Sequence, residues 1–378
     1  MRATVVLVAT IVSVGACSFR FAAERVDGSG SGNGSSDAPI LDGPGSGSGS
    51  VTCYGQNLLV ACPASPPQGS VNVNGAMMID TGNAGDCAPL VAPGRTDVCV
   101  LAAQTFVVNA TVSAFGAQPL VLLATQTITI NSGGGIDVAS RHASGVTGAA
   151  ANYSGCNTGT PPTQGMTGEG GGGFGGSFGK RGGNGGTTSD GGSGGSAAQP
   201  EGAPTSLRGG CPGTTGAGTF GGSGGDSGGA VWLYAGTSII INGFVDASGT
   251  GGGGGGGADF GGGGGGAGGM IGLETPTLTI NSGGVVFANG GGGGGGGNVT
   301  TGGNDGHDPT SPTMGAGGGG GATPNGGGGG AGAQNNTPPG NGAGGNQGGA
   351  GGGGGSVGVI RLVPPGTFPI ATMSPPPS

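Results

Sequence analysis

Polar and β-branched residues alternate through Thr127-Ile128-Thr129-Ile130, and the run TITINSGG that they open returns from Thr277 as TLTINSGG, with seven of eight residues the same. Alternation with period two predicts a strand with one face buried. A match that close in one chain marks a repeated structural unit. Extended backwards without gaps, Pro119 to Asn131 (PLVLLATQTITIN) aligns with Ala230 to Asn242 (AVWLYAGTSIIIN) and with Gly269 to Asn281 (GMIGLETPTLTIN). DVCVLAAQTFVVN, ending at Asn109, and the shorter SVNVNG, with Asn74, fit the same frame. Asn74, Asn109, Asn131, Asn242 and Asn281 thus close five predicted strands and form the repeat corner, because Asn, and the Gly or Ser-Gly that follows it everywhere but at Asn109, tolerate left-handed backbone angles.

A short second strand follows most of these corners: ATVSAFG, GIDVAS, GFVDASG and VVFANG. Ala114, Ala139, Ala247 and Ala288 align as one column, which places Asp137 and Asp246 in adjacent columns rather than one. Asn109 and Asn131 lie 22 residues apart, room for three short strands and their corners. The expected fold is therefore all-β, a parallel β-helix-like solenoid of about five short coils with long glycine-rich insertions at one corner. A β-sandwich or hairpin array with disordered glycine loops is the alternative, since NSGG and NG also suit hairpin turns.

Glycine supplies 109 of the 378 residues, concentrated in runs such as Gly251 to Gly257, Gly261 to Gly266 and Gly290 to Gly297. Such runs cannot build an apolar core. Either they stay flexible, as Gly/Ser composition normally implies, or they pack as left-handed three-residue helices of the polyglycine II kind that hydrogen-bond through their backbones.

The chain opens MRATVVLVATIVSVGAC. One basic residue, an apolar stretch too short to span a bilayer and small residues before Cys17 predict a signal peptide over 1–16. Val14-Gly15-Ala16-Cys17 resembles the bacterial lipobox, which implies lipidation of Cys17, and by the same analogy Ser18 implies sorting to the outer membrane, with the protein facing the cell surface. Plain secretion is the alternative. Residues 17–50 then carry the lipid and a Gly/Ser tether whose flexible stretch, 27–50, reaches roughly 25 to 30 Å. Beyond it, 51–104 reads as a Cys-containing cap with the first coils, 105–365 as the glycine-rich solenoid and 366–378 as a Pro-rich tail. The remaining cysteines, Cys53, Cys62, Cys87, Cys99, Cys156 and Cys211, are even in number in an oxidising compartment, and proximity favours pairing each with the next.

Net charge is -8 with only 7% charged residues and no basic cluster, so nucleic acid is not an expected partner. No catalytic residue and no cofactor are expected. Gly225-Asp226-Ser227-Gly228-Gly229 spells a protease nucleophile motif, yet it lies in a glycine tract, and neither His142 nor His307 sits in a matching motif. For metal, Asp305, His307 and Asp308 are the densest ligand cluster. The loop offers fewer oxygens than a hard cation takes, and a solvated polar turn is expected instead.

The lipobox, the unit PLVLLATQTITIN with GIDVAS, and the glycine insertions together resemble glycine-rich bacterial outer-membrane lipoproteins and surface proteins of the myxobacterial, PGRS-like type. The chain departs from true PE-PGRS proteins, having no helical PE-type segment before its tracts. That shared label says little about function; the expected role, read from the anchor, the solenoid and the displayed glycine, is a non-enzymatic, lipid-anchored structural or adhesion scaffold displaying glycine-rich segments, with the membrane, extracellular polysaccharide or other surface proteins as partners. A polysaccharide lyase or hydrolase, or a carbohydrate-binding surface protein, is the alternative. Against it stand the isolated Glu274 and Arg361, and the single Trp232 with three Tyr as sugar-stacking platforms.

Overall fold

The computed structural model describes residues 51–56, 58–364 and 372–378. The predicted signal peptide, Cys17 and the tether lie outside them. Alternating β-branched and polar residues, and in places such as β7 and the first half of β5 continuous apolar runs buried on both faces, yield the strands: β1 (Ser70–Val73), β2 (Met77–Asp80), β3 (Cys99–Val108), β4 (Thr111–Phe115), β5 (Leu120–Ile130), β6 (Gly135–Asp137) and β7 (Ala230–Ala235). There follow β8 (Ser238–Ile241), β9 (Phe244–Asp246), β10 (Met270–Glu274), β11 (Thr277–Ile280), β12 (Val285–Phe287), β13 (Val359–Val363) and β14 (Met373–Ser374). Two sheets result. One has eight strands, along β1-β3-β5-β7-β10-β13 with β8 and β11 continuing beside β5, and the other has six in the order β2-β4-β6-β9-β12-β14. The pairs between named strands are parallel, whereas a hairpin array would pair antiparallel.

Between the sheets lies the apolar core that the alternation predicts. Phe106, Val108, Ile128, Ile130, Ile239 and Ile241 from the first sheet meet Val112, Ile136, Val245 and Val286 from the second, all of them buried. The long β5 pairs with β7 through Leu120 to Ala124 and with β8 through Thr127 to Ile130, in the register of the sequence repeat.

Two registers differ from the expectation. In the sequence alignment Met270 faces Val231, but in the sheet it pairs with Ala230, one residue away. The slip sets Gly272 opposite Trp232, where a Cβ would come within 2.0 Å of the indole, so only glycine fits beneath that ring. In the second sheet Ser113 pairs with Asp137, Asp137 with Asp246, and Asp246 with Phe287. Ala139 therefore drops out of the alanine column, and Asp137 and Asp246 share one. Different turn lengths between Asn131 and β6 and between Asn242 and β9 produce the shift.

Long glycine-rich segments intervene after β6, β9 and β12, before the next strand of the first sheet. They are hydrogen-bonded rather than left to solvent. In the segment from Gly261 to Gly269, the N–H groups of Gly261, Gly264 and Ala267 donate to the carbonyls of Ala217, Thr214 and Cys211. Those of Gly262, Gly265 and Gly268 donate to Ala350, Gly353 and Ser356, and those of Gly263, Gly266 and Gly269 to Gly253, Thr250 and Ala247. Its carbonyls accept in turn from Gly222, Gly225 and Gly228, from Gly173 and Gly176, and from Gly291 and Gly294. Every third residue meets the same neighbour, so one chain is bonded to six others. With three residues per turn and no Cβ, such backbones can approach this closely. A Cβ on Gly264 would lie 1.9 Å from the Phe174 carbonyl oxygen, and one on Gly266 2.0 Å from that of Asp226.

Three disulfides, Cys53–Cys62, Cys87–Cys99 and Cys156–Cys211, join each cysteine to its neighbour in sequence. The first closes a loop whose Leu58, Leu59 and Ala61 cover the outer surface of the first sheet together with Trp232, Phe178 and Leu207. The last spans 55 residues and ties down the first glycine insertion.

Candidate functional site: a neutral hydroxyl and amide face

The other half of the first sheet's outer surface is open. Side chains alternate in and out of a strand, so turning Phe106, Ile128, Ile239 and the partly buried Leu278 toward the core turns their neighbours outward. Ser70, Thr105, Thr127, Ser238 and Thr277 fall into one row across β1, β3, β5, β8 and β11 by direct pairing. Two residues along each strand a second row runs Asn72, Val107, Thr129, Ile240, Thr279. These residues are half-buried or exposed.

The third row is the set of Asn residues that close the repeat strands, although the left-handed angles after Asn131 and Asn281 fall at Gly133 and Gly283 and not at the Asn residues themselves. Asn109 Nδ2 donates to Asn74 Oδ1 at 2.8 Å, Asn131 Nδ2 to Asn109 Oδ1 at 2.7 Å, and Asn281 Nδ2 to Asn242 Oδ1 at 2.7 Å. An amide that donates to its neighbour keeps a second N–H and a free lone pair for an external partner. Thr105 Oγ1 likewise donates to Ser70 Oγ at 2.6 Å. No residue of the three rows carries a charge.

The polar groups singled out from sequence are engaged in building the fold. Asp305 and Asp308 are three apart in a glycine-rich segment, which places them on one side of a three-residue turn. Asp305 Oδ1 accepts from the N–H of Gly254 and Asp308 Oδ1 from that of Gly251, both within 2.9 Å. The second oxygen of Asp305 lies 3.2 Å from His142 Nε2, and that of Asp308 accepts the His142 N–H. His307 joins its neighbours through its backbone, its N–H donating to Gly317 and its carbonyl accepting from Gly292. In place of a solvated turn, the cluster pins two glycine segments. Asp226 and Ser227 behave alike: Asp226 accepts from Asn152 Nδ2 and Thr147 Oγ1, and Ser227 Oγ accepts the N–H of Asn152.

Asp137 and Asp246, neighbours in register, are bridged by the Arg141 guanidinium at 3.1 Å and 2.5 Å. Burial pushes the Asp246 carboxyl upward, against the pull of Arg141. Sequence gave no sign of this bridge, because Arg141 reaches both acids only once two distant strands pair. Cys156, Glu201 and Cys211 approach one another closely enough to suggest metal ligands, but the two sulfurs form a disulfide. Beside β13, a groove of about 500 Å³ presents Lys180, Glu201 and Arg361, with charges of both signs. Glu274 accepts a hydrogen bond from Trp232 Nε1 at 3.0 Å, and burial raises its carboxyl to about 7.

What the three rows can do is hydrogen-bond at regular intervals without charge. Neighbouring strands lie about 4.8 Å apart and alternate residues about 6.7 Å along a strand, so the face is a grid of hydroxyls, amides and methyls. No protein-family model, curated protein or solved structure matches the chain, so neither its fold nor this face is carried over from a relative.

Proposed function

We propose that the protein is a non-enzymatic cell-surface scaffold, a β-solenoid held to the outer membrane by a lipid on Cys17 and stiffened by insertions packed as polyglycine II. The backbone lattice around Gly261 to Gly269 carries the reading, because it makes the insertions a braced body rather than loose display loops. The chain's repeated passage from one parallel sheet to the other and back, with β7–β8 and β10–β11 as consecutive pairs in the first, supports the solenoid. Engagement of Asp226, Asp305 and Asp308 in that lattice supports a structural role for its polar residues. The partners proposed are extracellular polysaccharide or other surface proteins.

One observation favours a second reading, an enzyme acting on polysaccharide: paired carboxylates are the usual equipment for glycoside hydrolysis, and Asp137 and Asp246 adjoin. Arg141 lies against both, which leaves neither free as acid or base. Cell fractionation tests the proposal. Wild-type protein should pellet with outer membranes and be open to external protease, and Cys17→Ser should not be lipidated. Soluble sugar released from polysaccharide by wild type and not by Asp246→Asn would overturn it.

A further inference from the structure

We infer that the outward hydroxyl and amide face of the first sheet is the docking surface for a neutral polysaccharide laid across the strands. The inference rests on the scaffold reading and names its ligand class. Three features of the face select that class.

First, the face carries no charge in a molecule whose net charge is -8. A cationic polymer would be drawn elsewhere on the surface and an acidic one repelled, so a neutral partner loses nothing by meeting this patch. Second, its chemistry repeats. Thr105, Thr127, Ser238 and Thr277 present hydroxyls in consecutive strands, with Asn131 and Asn281 in the row at the corner. A polymer that offers hydroxyls at regular intervals meets donors and acceptors at each step. Third, each contact is weak, since an exposed hydrogen bond to a ligand replaces one already made to water. Affinity therefore requires many contacts made at once, as a polymer makes them and a monosaccharide does not.

The face holds no aromatic side chain in these rows, so stacking does not contribute. Methyls of Val107, Thr129 and Ile240 in the middle row provide the apolar strip for the C–H faces of the sugar rings.

The test is depletion of purified full-length protein by insoluble cellulose, chitin and cross-linked dextran, with alginate gel as an acidic counterpart. Wild type should bind at least one neutral solid, hold on in 1 M salt and leave alginate unbound. The double variant Thr127→Lys/Thr277→Lys should bind at least about tenfold more weakly, while Met166→Lys, at a residue 94% exposed outside the three rows, binds as wild type does. Circular dichroism of each variant checks the fold, and Thr127→Val, which keeps the shape, should give an intermediate loss. Undiminished binding by the double lysine variant, binding abolished by salt, or no binding to any neutral solid would overturn the inference. So would arrest of ice growth without polysaccharide binding, which would assign the face to ordered water. Failure of these tests leaves the scaffold reading standing, because that reading falls on sugar release and localisation instead.

Discussion

Gly264→Ala probes the glycine lattice at a position bonded on both sides. The Gly264 N–H donates to Thr214 at 2.9 Å and its carbonyl accepts from Gly225 at 2.8 Å. The new methyl would lie 1.9 Å from the Phe174 carbonyl oxygen and 2.3 Å from its carbon, so the two chains must separate by more than an ångström. Overpacking of this kind costs about 1–3 kcal/mol, and weakening two backbone hydrogen bonds about 1 kcal/mol each. Loss of glycine's freedom in the unfolded chain returns about 0.4–1 kcal/mol. The net expectation is a loss of about 2–4 kcal/mol. Gly328→Ala is the control, because its Cβ would find only the Gly319 oxygen, at 3.9 Å. It should be neutral or stabilising by a few tenths of a kcal/mol. Denaturant unfolding of both variants, with amide exchange read over 261–269, makes the comparison. Equal stability of the two alanine variants would refute the packed lattice, as would exchange of those amides within seconds in the wild type.

Two further outcomes follow from the staples and from the buried acid. Replacing Cys156 and Cys211 with serine opens a 55-residue loop and should cost about 4 kcal/mol in the chain-entropy account, with amide exchange quickening over 157–210 but not over 290–297. Uniform quickening would show that the disulfide does not act locally. The Glu274 carboxyl, raised by burial to about 7 from its ordinary 4.5, binds its proton more tightly folded than unfolded. That contribution is complete below about pH 4.5 and is lost as pH rises through 7, a change of about 1–3 kcal/mol after screening. Glu274→Gln should therefore flatten the difference in unfolding midpoint between pH 5 and pH 8 relative to wild type, and an unchanged difference would contradict the assignment.

Much of the local order was legible from residue patterns alone. Period-two alternation located strands such as β8 and the second half of β5, the Asn-closed repeat located β7 and β10 and set the pairing of β5 with β8 and of β8 with β11, and proximity identified the cysteine partners. The outward rows were legible for the same reason, since burying Ile128 and Ile130 obliges Thr127 and Thr129 to face out. Ambiguity began where one residue type allows two states. Glycine runs have the same composition whether flexible or packed, and only the six neighbours brought around Gly261 to Gly269 satisfy their backbone groups collectively.

The one-residue slips had other origins, turn length in the second sheet and side-chain bulk in the first. Opposite Trp232 the bulk of an indole outweighs sequence similarity, and Gly272 moves into register with it. Asp137, Asp246 and Arg141 lie up to 109 residues apart along the chain, too far for any local pattern to join them. The sequence by itself determined which residues point inward and which outward, because that depends on neighbours two positions away. Which distant segments share a hydrogen bond, an ion pair or a void was decided by the tertiary structure, because those interactions exist only once the sheets and the glycine lattice have closed around them.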